Sequence, residues 1–169
     1  MANKLYILCG IPFAGKSMFA RQFARIKKYK IIDLDEIKTS LVGPNIPDNE
    51  ITQTDWDRIY QNMYTTIETS LKSNSVIHDT GNFTQYERIL VRRIAVKKNI
   101  DFSTIYINTP IKIARNRLLL NRKHPTRFDV SDSDFDAAIA EIEEPRQSEH
   151  SLIYNGTENV TEWLVRNRI

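Results

Sequence analysis

A chain of 169 residues with 41% hydrophobic content is the size of one α/β domain, and no apolar run in it approaches the ~20 residues needed to cross a bilayer. Its 24 Lys and Arg against 21 Asp and Glu leave a net charge of +3, too mild to form a nucleic-acid stripe by itself yet suited to a small anionic ligand. A single cysteine excludes an internal disulfide framework, and a chain that enters a strand with no signal segment sets the expectation of a cytoplasmic protein.

The first element is an apolar, β-prone run, Lys4 to Cys9, with Cys9 expected to pack in the core. It leads into Gly10-Ile11-Pro12-Phe13-Ala14-Gly15-Lys16-Ser17, which has the form G-x-x-x-x-G-K-S. Phe19, Ala20, Phe23, Ala24 and Ile26 then recur at helical spacing. Strand, glycine-bearing loop and helix together are the context in which this pattern cradles phosphate. Backbone N–H groups and the helix N-terminus hold anionic oxygens there without side chains. Lys16 is placed to reach the β- and γ-phosphates of ATP, and the Ser17 hydroxyl to take a position on Mg²⁺.

Lys30 to Asp35 reads as a second strand ending in two carboxylates, with a short helix from Glu36 to Leu41 that Gly43-Pro44 stops. Ligands in an α/β sheet sit at the carboxyl ends of the strands, so Asp33 and Asp35 fall opposite the cradle. Asp35 is the candidate general base for phosphoryl transfer to a hydroxyl, with a helix N-cap as its competing role; Asp33 is expected to cap or support. A polar loop follows from about Asn45 to Thr54. Thr54-Asp55 then opens a helix whose stripe of Trp56, Ile59, Tyr60, Met63, Tyr64, Ile67 and Leu71 reads as core, with one or two aromatics free to line an acceptor pocket.

Val76 to Thr80 is the third strand. Asp79 at its end holds the second-carboxylate position that supports Mg²⁺, and His78 reads as a satisfied, half-buried histidine. Thr84 opens a helix in which Arg88 is the candidate for acceptor contact. Phe102 to Asn108 is the fourth strand, and Pro110 starts a helix at its first position. The densest basic stretch follows, with Arg115, Arg117, Arg122, Lys123 and Arg127 interrupted by Pro125. It reads as a lid over about residues 117–131, with Arg122, then Arg127, then Arg117 as candidates to neutralise the transferring phosphoryl group. An acidic N-cap at 131–134 begins a helix stopped by Pro145, before a last strand (151–155) and a closing helix around Trp163. The pattern is a three-layer α/β domain with a parallel sheet, expected to occupy residues 1–169 as one unit.

With these motifs in hand, residues 3 to 165 resemble a small P-loop kinase of the group with an AAA-type ATP-binding domain. Polynucleotide 5′-kinases, chloramphenicol phosphotransferase, gluconate kinase and zeta toxins are its relatives. The resemblance rests on G-x-P-x-x-G-K-S, the Asp35–Lys38 step, the Asp79 strand end, an early Arg in the next helix, the lid arginines and the Glu143–Glu149 stretch. It implies an α/β/α P-loop NTPase fold with five parallel strands ordered 2-3-1-4-5. It further implies ATP and Mg²⁺ as cofactors, held by Gly10, Pro12, Ala14, Gly15, Lys16, Ser17 and Met18 with Arg122 and Arg127 closing over them. Asp35 would be the base, with Lys38 and Arg88 on the acceptor. Three positions depart from the pattern: Phe13 stands where Gly is common, Met18 where Thr is common, and Lys38 where nucleic-acid kinases carry Arg. The expected activity is transfer of the γ-phosphoryl group to a hydroxyl of a small molecule, nucleoside or polynucleotide 5′ end, with nucleic acid allowed but not required. A nucleotide-dependent switch or ATPase module without an acceptor is the alternative.

Overall fold

Leu5 and Ile7 alternate with Tyr6 and Leu8 along β1 (Lys4–Cys9), and all four are buried. Successive side chains leave a strand on opposite faces, so β1 must be covered on both sides. The computed structural model describes residues 2–44 and 46–169, and β1 lies at the centre of its sheet. The other strands are β2 (Lys30–Asp33), β3 (Val76–Asp79), β4 (Asp101–Ile107) and β5 (Leu152–Tyr154), all parallel in the order β2-β3-β1-β4-β5.

Tyr6 and Leu8 join Phe19 and Phe23 of α1 (Lys16–Lys27), Leu118 of α5 (Ile111–Lys123), Phe135 of α6 (Asp132–Glu141) and Trp163 of α7 (Val160–Arg166) in one core. On the other face Leu5 and Ile7 meet Leu34 of α2 (Leu34–Val42), Ile59, Met63 and Ile67 of α3 (Gln53–Ser70), and Val91 and Ala95 of α4 (Gln85–Lys97). Each fully buried Leu, Ile or Phe contributes about 1.5–3 kcal/mol, which makes these two layers the main source of stability. Cys9 lies in the core as expected, its thiol pushed up to about 11 by burial. No helix among the described residues is long and apolar enough to cross a membrane.

Several boundaries differ from the sequence expectation. The second strand ends at Asp33 and α2 begins at once at Leu34, because the Asp33 carboxylate accepts the Asp35 N–H at 2.8 Å and caps the helix. Asp35 therefore stands in the first turn of a helix, not on a strand. The expected loop from Asn45 to Thr54 begins on a residue outside the described set; its remainder holds a 3₁₀ turn (Asp48–Glu50) and ends earlier, where Thr52 caps α3 through the Asp55 N–H. The helix expected to run to Pro145 stops at Glu141, since Glu143 is drawn into tertiary bonds: its N–H donates to Phe83 O and its carboxylate accepts the Gln85 N–H, both at 2.8 Å. Pro110 is the N-cap of α5 and not its first residue. The basic stretch from 117 to 123 is helical, leaving residues 124–131 as the connection to α6.

Candidate active site

Between β1 and α1 the glycine-bearing loop is braced from behind. Gly15 caps α1 with φ +104°, a conformation that suits glycine. Thr109 Oγ1 donates to Ala14 O at 2.6 Å, and Arg117 Nη1 donates to Ala14 O at 2.8 Å and Phe13 O at 3.3 Å. Arg117 Nη2 also reaches Gly156 O at 3.1 Å. Gly156 packs so closely that a Cβ there would fall 1.7 Å from Thr109 Oγ1. With the outer carbonyls engaged, the first amides of α1 remain without intrahelical acceptors, the arrangement that binds anions.

Lys16 closes the ring from inside. Its Nζ donates to Gly10 O at 2.7 Å and Ile11 O at 2.9 Å. Burial pulls the ammonium down to about 8 from an ordinary 10.5, with Asp79 opposing that shift and Arg127 adding to it. Asp33 and Asp79 are directly paired residues of β2 and β3, so their carboxyls lie side by side at the strand ends. Burial, followed by the Asp79 charge, pushes Asp33 up to about 6. Asp79 is 4% exposed and is raised by burial, against the lowering effects of the Ser17 hydroxyl beside it and of Lys16. Asp35 raises both Asp33 and Asp79, and Asp79 raises Asp33, so negative charge gathers here. That cation deficit fits a divalent metal. Ser17 and Asp79 are the side chains that would hold it, and phosphate and water would supply its other oxygens, since the described residues offer no cluster of three or more His, Cys, Asp and Glu ligands.

Asp35 and Lys38 lie three residues apart on one face of α2 and both line the same cleft of about 790 Å³ as Lys16, Ser17 and Asp79. Pro12 and Gly15 line it as well. Lys38 Nζ is held by Asp48 at 2.8 Å, 5.5 Å from the centre of the Phe128 ring. Trp56 and Tyr60 add an aromatic wall from α3, their rings 5.8 Å apart; Trp56 also packs against the core.

The arginines divide differently from expectation. Arg122 turns away from the cleft: its guanidinium binds Asp129, Asp132 and Val130 O, fastening the α5–α6 connection to itself. Arg127 lines the cleft, with its guanidinium 4.6 Å from the centre of the Phe13 ring. Phe13 adopts φ +61°, so a bulky residue stands in a left-handed conformation at a position where the resemblance expects Gly. Arg88 was expected on the acceptor and is instead 1% exposed. It forms a two-point pair with Glu149 at 2.8 and 3.2 Å, and donates to Asn82 O and Phe83 O. Four of its five N–H donors are spent inside the protein, and Arg88 does not line the cleft. His78 is fully buried, its Nε2 3.0 Å from Met63 Sδ, and burial pulls it down to about 3. Sequence reasoning missed Thr109, Asp48 and the bracing role of Arg117. The first two carry no local motif, and Arg117 lay within the basic run but had no signal separating a brace from a lid.

Comparison with known proteins places the chain in a family. The family model described as an AAA domain matches residues 5–145. The chain belongs to the AAA domain family. Within it the relatives are P-loop kinases. Over 130 residues the chain is 28% identical to a shikimate kinase of Clostridium botulinum (strain Okra / Type B1), covering 76% of this chain and 72% of that one. Over 119 residues it is 29% identical to the L-seryl-tRNA(Sec) kinase of Methanococcus maripaludis, covering 67% of this chain but 44% of that protein. Among solved structures, Chaetomium thermophilum Kti12 in complex with ADP-AlF3 superposes with a TM-score of 0.78 at 14% identity, covering 97% of each chain. That match establishes a shared fold.

Proposed function

We propose that this AAA domain protein is an ATP- and Mg²⁺-dependent kinase that transfers the γ-phosphoryl group to an alcohol, with Asp35 as general base. The observation that carries the reading is the shared cleft: Asp35 opens onto the same space as Lys16, Ser17 and Asp79. ATP seats its β- and γ-phosphates on the amides after β1 with Lys16 against their oxygens; Ser17 and Asp79 would hold Mg²⁺, which would supply positive charge to offset the phosphates. Asp35 accepts the proton as the acceptor oxygen bonds to the γ-phosphorus and the bond to the ADP oxygen breaks. Arg127, from the connection at 124–131, lies on the cleft where charge builds on the transferring group. Closure of that connection excludes water and limits simple hydrolysis.

Asp35→Asn tests this directly. Transfer of labelled γ-phosphate to a panel of alcohols should fall by about 10²–10⁴, while ATP affinity stays near the parent value. Parent-level transfer by the variant would remove Asp35 from the chemistry. ATP turnover without any phosphorylated acceptor would favour an ATPase or switch.

A further inference from the structure

Resting on that reading, we infer that the alcohol acceptor carries no anionic group beside its hydroxyl, and that Asp48 enforces this by neutralising Lys38. Three basic side chains line the cleft among the described residues, namely Lys16, Lys38 and Arg127. Lys16 and Arg127 lie with the phosphate loop, through Gly10 O and Ile11 O and through the Phe13 ring. Lys38 alone is left for the acceptor half, and it is already engaged. Its side chain is 11% exposed, and its ammonium meets the Asp48 carboxylate, itself 70% exposed, at 2.8 Å and lies 5.5 Å from the centre of the Phe128 ring.

Asp48 begins the 3₁₀ turn, which is tied by Glu50 N–H to Pro47 O at 2.9 Å. An anionic acceptor would have to displace a carboxylate tethered ten positions from Lys38 along the same chain, a competitor at high effective concentration. It would also have to approach Asp35 and Glu87, which line the same half. With Asp48 these make three carboxylates against the one ammonium of Lys38. Arg88 cannot restore the balance, because Glu149 holds it inside the protein. Trp56 and Tyr60 offer flat apolar surface, Tyr60 being 38% exposed. Such walls suit the face of a ring. The acceptor class is thus a ring-bearing alcohol, uncharged or amine-bearing, in place of a carboxylated or phosphorylated one.

The test uses acceptors matched as closely as chemistry allows except for charge: methyl glucuronate with glucuronate, methyl shikimate with shikimate, and cytidine with cytidine 3′-phosphate. The parent should use the uncharged members with kcat/KM at least tenfold higher. Asp48→Asn should shrink that ratio about tenfold by improving the anionic members, and adding Lys38→Met should abolish the gain. Preference of the parent for anionic members, including a 5′-hydroxyl oligonucleotide, overturns the inference, as does a ratio indifferent to Asp48→Asn. If no alcohol is phosphorylated, the kinase reading fails separately. The charge rule is then read from binding of the same pairs, as the quenching of fluorescence that parent shows and Trp56→Phe does not. Stronger quenching by the uncharged members supports the rule; equal, weaker or absent quenching by them overturns it.

Discussion

Removing the Glu149 carboxylate should unfold this protein many degrees early, although the residue lies outside the cleft. Glu149 and Arg88 have side chains 1% exposed, so each ion has lost its water and depends on the other. Besides its two bonds to Glu149, Arg88 holds Asn82 O at 3.0 Å and Phe83 O at 3.1 Å, and its Nη1 lies 3.6 Å from Cys9 Sγ, one residue before the phosphate loop. Glu149→Ala leaves a buried guanidinium without its counter-ion, a change that costs about 3–5 kcal/mol. For a chain of this size each kcal/mol moves Tm by about 2–4 °C, so a drop of roughly 6–20 °C is expected. Replacing both partners, Arg88→Met with Glu149→Leu, removes the orphan charge and should recover most of the loss. The Arg88 bonds hold Glu149 below its ordinary range against the opposing effect of burial. A carboxylate with a depressed folded pKa contributes stability above its unfolded pKa and loses it as pH falls through the folded value. The difference between parent and Glu149→Gln should therefore narrow below about pH 4. Urea and thermal unfolding of the three variants over pH 3 to 8 measure this. A Glu149→Ala protein within about 1 kcal/mol of the parent, or a double variant no better than the single ones, would refute the reasoning.

Phe13→Leu keeps an apolar side chain at the strained position but removes the ring under Arg127; ATP should bind about 2–5-fold more weakly, with stability lowered by about 1–2 kcal/mol because Phe13 is buried in the core, and unaltered ATP affinity would sink the idea that the ring positions Arg127. Lys16, lowered to about 8, loses its charge in the free protein as pH rises through that value. ATP phosphates favour the charged form, so binding at pH 8.5 should take up a proton and weaken by up to about tenfold per pH unit above 8; calorimetry in buffers of different ionisation enthalpy reads this, and zero uptake contradicts it. Asp33, raised to about 6, contributes stability fully below its unfolded pKa and loses it as pH rises through 6. Asp33→Asn keeps the cap on α2 and removes the ionisation cost, so without Mg²⁺ it should be about 1–2 kcal/mol more stable than the parent at pH 7.5, converging near pH 4. A less stable Asp33→Asn protein at pH 7.5 would show that the ionised cap outweighs its burial.

Local pattern was enough wherever the physics is local. The alternation in β1, the glycines at 10 and 15, and the helical recurrence from Phe19 each depend on neighbours a few residues away, and together they place a phosphate loop at a strand end. Thr84 and Glu87 likewise form a reciprocal cap that can be read from four residues of sequence. The strand order 2-3-1-4-5 came from family resemblance and agrees with the fold, since spacing alone does not say which strands lie beside each other.

The destination of each charged side chain belonged to the tertiary structure. Arg88 and Glu149 are 61 residues apart, and nothing in either helix or turn announces that they meet in the interior. Arg122 and Arg127 look equivalent in a basic run, yet the first ends on its own connection and the second over Phe13 in the cleft. Long charged side chains take whichever carboxylate, carbonyl or ring the packing brings within a few ångströms, and burial then decides how strongly each pairing counts. The sequence by itself determined the phosphate cradle and the layers that carry it; only the folded chain decided which cations remain for a substrate.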